Sequence, residues 1–213
     1  MQATSESTGS LRYDIDSAAS TVHILVYRGG TLARLGHNHV ISSRGISGSI
    51  WQGASLDASG FAITVPVNDL IVDDTAARAA QGEDFAQAVS EEAKQGTKIN
   101  MLRETLLDGA RYPDISLRSV SLHGDTGAVK VVVALKIKDQ TRHMTVPVRL
   151  HNTDNRLRVT GEFEHKQTDF GITPLNVALG ALLVLDTVKI KFELVTQTPC
   201  ITDCSDHTGT QAQ

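Results

Sequence analysis

The segment Leu35-Gly-His-Asn-His-Val-Ile41 sets two histidines two residues apart. On a β-strand such positions face one side, so His37 and His39 would present their imidazoles together. Two rings so placed can share a transition-metal ion or bond a ligand's polar head; two rim histidines without a ligand are the plain alternative. A pair of ligands does not complete a tetrahedral site. His143 and His165 fall on other expected strands, and spacing alone does not bring them close. The letters His-Asn-His also occur in a nuclease motif, whose ββα-metal context is missing. A metal-binding protein or metal-dependent enzyme using His37 and His39 is the alternative reading.

Other candidates are weaker. Asp73 and Asp74, in Asp69-Leu-Ile-Val-Asp-Asp-Thr75, would suit acid/base chemistry, although loop or helix-capping carboxylates are commoner. Asp169-Phe-Gly171 shares its letters with a kinase magnesium motif, but the accompanying glycine-rich and catalytic-loop signatures are absent, so a turn is expected. Cys200 and Cys204, with His207 nearby, lie in a polar tail; their spacing suits a local disulfide or two free thiols. No Gly-x-Ser-x-Gly elbow and no phosphate-binding Gly-Lys-Ser/Thr loop occurs. The balance leans toward binding, with no catalytic residue and no resident cofactor expected.

These side chains must be positioned mainly by strands. Ala128 to Ile137 alternates strictly: Val129, Val131, Val133, Leu135 and Ile137 share a face opposite Lys130, Lys136 and, just beyond, Lys138. After a turn at Asp139-Gln140-Thr141 the alternation resumes at Met144, Val146, Val148 and Leu150, with Pro147 opposite them, which suggests an edge or a bulge. A turn cluster, His151 to Asn155, precedes Leu157, Val159, Gly161 and Phe163; Val188, Ile190, Phe192 and Leu194 form a last apolar face. In the first half, Tyr13–Ile15, Val22–Tyr27, Ile46–Trp51 and Phe61–Val65 read as strands. Between the halves, Asp84 to Lys94 predicts a short helix stopped by Gly96, and Thr97 could cap a second carrying Ile99, Leu102 and Leu106.

The fold class expected is therefore mainly all-β: a closed antiparallel β-barrel of about eight strands with a short helical insert. Residues 11–197 would form it, with flexible segments at 1–10 and 198–213. Aromatics at 4% and a net charge of −4 argue against a nucleic-acid partner, which wants stacking rings and a basic field. No stretch is long enough for a transmembrane helix; the run Val177–Leu185 is short and contains a glycine. Residues 1–10 lack the apolar core of an export signal, consistent with a cytoplasmic chain or one already processed. A homodimer is left open.

Tyr13-Asp-Ile-Asp16 with Ser20, the passage Leu107 to Ser119 containing Tyr112-Pro113, the hairpin Leu135 to Arg142, and Asp169 to Ile172 followed by Asp186 to Ile190 recur in one order. Over Tyr13 to about Val195 this order resembles the YceI-like family of polyisoprenoid-binding, lipocalin-like proteins. The chain departs at Leu117, often Phe in that family, and at Gln140, usually Gly. Ile99-Asn-Met-Leu102 and Leu106-Leu107 replace its His-Leu and Phe-Phe pairs.

The resemblance implies a non-catalytic carrier whose barrel encloses an isoprenoid or similar amphiphile, such as a quinone tail, and export to the periplasm in many members. The expected lining is Val129, Val131, Val133, Leu135, Leu157, Val159, Phe163, Val188, Ile190 and Phe192. Met101 and Leu102 would cover one mouth, and His37 and His39 would meet a polar head. Periodicity alone favours a barrel filled with its own side chains over one that leaves room for a ligand.

Overall fold

The computed structural model describes residues 10–125 and 127–199; positions 1–9, Cys200, Cys204 and His207 lie outside them. The chain opens with β1 (Leu11–Asp14), β2 (Thr21–Val26) and the two-residue β3 (Arg28–Gly29). β4 (His39–Ser43), β5 (Ser47–Gln52), β6 (Gly60–Pro66) and β7 (Leu70–Val72) follow. A helical passage then holds α1 (Thr75–Ala79), a 3-10 turn at Glu83–Phe85 and α2 (Glu91–Met101). Four long strands come next: β8 (Asp114–Asp125), β9 (Ala128–Ile137), β10 (Gln140–Thr153) and β11 (Arg156–Lys166). Two short strands, β12 (Asn176–Val177) and β13 (Leu182–Val184), precede β14 (Thr187–Val195).

Alternation explains the long strands. In β9, Val129, Val131, Val133, Leu135 and Ile137 are all buried, while Lys130 and Lys136 are exposed. The β10–β11 connection needs only Asp154 and Asn155, both at positive φ (53° and 58°), as a tight hairpin demands.

The sheet is antiparallel throughout and strongly curled, but it is not the closed eight-stranded barrel expected. Eleven strands run in the order β1-β5-β6-β8-β9-β10-β11-β14-β2-β4-β7, leaving β1 and β7 as edges. The reason lies at β14. One of its edges carries β11, and the other carries β2 as far as Thr21 opposite Glu193. Beyond that point the end of β1 takes over the same edge through a single bridge, Ile15 to Thr196. The Asp16 N–H donates to the Val195 carbonyl and the Gln197 N–H to that of Asp14, each at 2.8 Å. Only the tip of β1 reaches β14, so the two ends of the sheet touch without zipping together. Both edge strands are short, which limits the unpaired backbone they present.

Buried Ser20 sits where β1 hands over to β2. Its Oγ accepts from the Val195 N–H at 3.0 Å and donates to the Val195 carbonyl at 3.2 Å, replacing a missing strand partner.

Three further expectations are corrected. Gly96 does not stop a helix: α2 runs through Gly96 and Thr97 because Gly96 keeps a right-handed φ. Its N-cap is Ser90, whose Oγ accepts from the Ala93 N–H at 3.2 Å. In place of a helix from Asp84 there is the 3-10 turn, and α1 lies upstream of it. Pro147 lies inside β10, opposite Lys130 of β9, rather than on an edge strand or at a bulge. Toward β11, however, pairing runs only from Thr153 to Val148 and stops at Pro147, which has no N–H to give. A 3-10 turn at Gln167–Phe170 packs against β10 and β11 there, with Phe170 buried.

A large apolar core fills the helix-side end of the curl. It holds Ile63, Val65, Leu70, Ile115, Ile137 and Phe170, with Met101, Leu102, Leu106 and Leu107 packed against it. A smaller core of Leu25, Val40, Ala77 and Phe85 lies on the opposite face of β2 and β4, under α1.

Ser20→Ala leaves the Val195 amide buried and unpaired. Stability should fall by about 1–3 kcal/mol, read from the urea midpoint, with faster hydrogen exchange at Val195 than at Val131. Unchanged exchange at Val195 would refute the strand-replacement role.

Candidate functional site

The concave face encloses a cavity of about 860 Å³. Such a volume lies within the ~300–1,000 Å³ of ordinary ligand sites. Its wall comes from β2, β5, β6, β8–β11 and β14; β4 and β7 contribute nothing. At one end its rim is formed by the β5–β6 connection (Gln52 to Ser59), Asp125 and Gly127 between β8 and β9, and Asn152 near the β10–β11 turn. The wall below that rim is aliphatic and aromatic, apart from one imidazole, that of His165.

The expected lining residues Val129, Val131, Val133, Leu135, Leu157, Val159, Phe163, Ile190 and Phe192 all border this space. Val188 is buried but does not border it. Met101 and Leu102 do not cover its mouth. They pack against the apolar core at the end occupied by the β9–β10 turn, where Lys138 Nζ donates to the Glu104 carbonyl at 3.2 Å. The rim lies at the opposite ends of β9 and β10, so the helical insert plugs the floor.

Strand reasoning missed Ile24, Ile50, Phe61, Leu122 and Val148 among the wall residues. Their signal was present: Phe61, Ile63 and Val65 alternate as clearly as the β9 valines, and all three line the cavity. His165 was considered only as a stray metal ligand. It follows Leu157, Val159, Gly161 and Phe163 on the inward face of β11, about 26 Å along the strand from Leu157 at ~3.3 Å per residue. Its ring packs edge-on against Phe170, centroids 5.0 Å apart. Its Nδ1 lies 3.2 Å from the Lys166 carbonyl. Burial lowers its pKa below the ordinary histidine value, outweighing that carbonyl, Asp169 and Asp186, which act the other way.

His37 and His39 do not border the cavity. His39 opens β4, and its Nδ1 donates to Asp73 Oδ2 at 2.6 Å. Fully buried Asp73 also accepts at Oδ1 from the Val40 N–H (2.9 Å) and from Arg78 (2.5 Å). Arg78, buried on α1, donates further to the carbonyls of Asn38 and Gln87, both at 2.7 Å. Burial by itself would raise the Asp73 carboxyl, but the bonds from His39, Val40 and Arg78 hold it below the usual carboxylate range. The His37 and His39 rings lie 6.2 Å apart, and burial, then His39 and the nearby arginines, lower the pKa of His37. Among the described residues no third His, Cys, Asp or Glu joins them as a metal-ligand set. The cluster ties β4 to β7 and α1. Asp74, beside it, is the N-cap of α1, accepting from the Ala76 and Ala77 amides at 3.1 Å.

The fold is thus a curled antiparallel half-barrel around an apolar pocket. A YceI-like domain matches residues 13–196, and the chain belongs to the YceI-like family, known as a polyisoprenoid-binding fold. Among solved structures it resembles Burkholderia cenocepacia BcnA, at 17% identity with a TM-score of 0.62, covering 86% of this chain and 99% of that one. A Campylobacter jejuni YceI variant prepared for nanotechnology applications aligns at 12% identity and a TM-score of 0.50, covering 72% and 82%. At these identities the likeness concerns the fold. No curated protein matches the chain.

Removing the Asp73 charge strands Arg78 in a buried site. Asp73→Asn should cost about 3 kcal/mol, measured by urea denaturation at neutral pH; a loss within error would show that Arg78 finds other partners. The pH dependence has a definite sign. Because His23, His37 and His165 titrate below the unfolded value of about 6.5, the unfolded chain binds protons first and stability falls as pH drops below it. The depressed Asp73 adds a further loss in stronger acid, through its folded pKa, and Asp73→Asn should flatten that limb. A wild-type midpoint that rises between about pH 7 and pH 5 would contradict the histidine contribution.

Proposed function

We propose that this protein is a non-catalytic carrier that holds an isoprenoid or similar amphiphilic lipid inside its half-barrel. The observation that supports it most is the long cavity, aliphatic along its wall and polar mainly at its rim. A wall of Val, Leu, Ile and Phe offers no directional chemistry beyond a few polar groups, so it suits a flexible hydrocarbon chain. At about 25 cal/mol per Å², burying ~300 Å² of such a chain contributes roughly 7 kcal/mol before the cost of association. One hydrogen bond adds about 1 kcal/mol. The chain of the ligand therefore sets affinity, and its polar end sets selectivity.

Membership of a polyisoprenoid-binding family agrees with this reading. The carrier role fits a site with nothing placed for bond-making among its wall residues. A periplasmic location, as in many family members, belongs to the same proposal.

Native mass spectrometry with organic extraction tests it directly. A co-purifying hydrocarbon of defined mass, or stoichiometric uptake of a prenyl lipid by delipidated protein, is the expected result; delipidated protein that takes up no prenyl lipid would overturn the carrier reading. Two variants sharpen the site. Val133→Lys puts a charge against the wall and should abolish retention. Because a buried charge also destabilises the sheet, Val148→Trp is the companion, filling the cavity from a partly buried position. It should reduce prenyl-lipid uptake at least tenfold with an unchanged urea midpoint, and full uptake by the folded variant would remove this cavity as the site.

A further inference from the structure

Among the described residues, the inner wall below the rim carries one side chain with a nitrogen able to accept a hydrogen bond, that of His165. Gln52, Ser55, Ser59, Asp125 and Asn152 are grouped at the open end. An imidazole against Phe163 and Phe170 contributes little to packing that phenylalanine would not, so its presence asks for a polar partner.

Its protonation state follows from its neighbours. The Lys166 carbonyl can only accept, so the 3.2 Å contact places a hydrogen on Nδ1. Burial keeps the ring neutral around pH 7. Nε2 then carries a lone pair, and among the described residues no group bonds to it. A neutral imidazole fixed in this tautomer accepts one hydrogen bond on its free nitrogen.

We propose that His165 Nε2 is the deep polar anchor of the cavity, accepting a hydrogen bond from a ligand hydroxyl, so that the cargo is a prenyl compound with a free hydroxyl group inserted polar end first. This deepens the carrier reading and rests on it. A hydroxyl donates to Nε2, whereas an ether or a quinone carbonyl brings only acceptors and leaves two lone pairs facing one another. A phosphate ester would bring an anion into an apolar pocket beside an uncharged ring, with no Lys or Arg among the described wall residues to receive it. The hydrocarbon then runs back along the aliphatic wall toward the rim.

The lone tryptophan, Trp51, borders the cavity, so its fluorescence can report occupancy. Delipidated full-length protein is titrated with geranylgeraniol and with its methyl ether, which has the same chain without the hydroxyl hydrogen. The alcohol should bind about tenfold more tightly, the value of one hydrogen bond in an apolar site. His165→Phe should bring the two affinities together by weakening the alcohol alone. His165→Gln, which keeps an acceptor oxygen, should restore part of the preference, a rescue that a merely structural histidine would not show. Equal affinities in the native protein, or a preference that survives in folded His165→Phe, would overturn the anchor and leave the carrier reading standing. Failure of both ligands to bind native protein would overturn the two together.

Discussion

A sheet curled around an axis can be filled only if its inward side chains reach the opposite wall. Here the concave face is made largely of valine, leucine and isoleucine, and the β9 valines at 129, 131 and 133 extend only a short way from the backbone. Lateral hydrogen bonding holds each strand at its spacing from the next, so the wall cannot collapse inward to close the gap. The cavity is thus a consequence of short side chains on a backbone held open by its own ladder. At the plugged end the space is closed by side chains from outside the long strands: Phe170, Met101 and Leu102 pack into the core there.

The same ladder governs how the sheet ends. β14 has only two edges, and β11 and β2 occupy most of both. What remains is a stretch just long enough for the Ile15–Thr196 bridge and the Ser20 hydroxyl. Curling replaces full closure, and Pro147 ends the β10–β11 pairing part-way along. These are places where the wall is held by individual bonds instead of a continuous ladder. The Asp73–Arg78–His39 cluster performs a comparable task at the other edge, tying β4, β7 and α1 through one buried carboxylate.

Separation of tasks is the functional consequence. The buried ion pairs of Asp73 with His39 and Arg78 lie near β4 and α1, away from the pocket wall. The pocket itself is left apolar, with His165 as its internal polar feature. Binding by such a wall depends on area, and discrimination falls to the few groups that can count hydrogens.

Much of this was written in local pattern. The alternation in β9, β10, β11 and β14 predicted which side chains would share a face, because a pleated strand repeats every two residues whatever surrounds it. Nine of the ten strand residues expected to line a cavity border it. Local pattern was less informative where a residue's role depends on partners distant in sequence. His37 and His39 looked like a site because they are close along the chain, yet His39 is bound to Asp73, 34 residues away. His165 looked incidental, yet it is the imidazole that the curl turns toward the pocket. Glycine at position 96 suggested a helix end, but whether a glycine terminates a helix depends on the φ its surroundings impose. The sequence by itself therefore determined the strands, their inward faces and the apolar character of the wall, through periodicity and side-chain size. Only the tertiary structure decided that the sheet stays open, that the helical insert plugs the floor, and which histidine faces the cavity. Those outcomes depend on how many edges a strand can offer and which distant strand reaches them first.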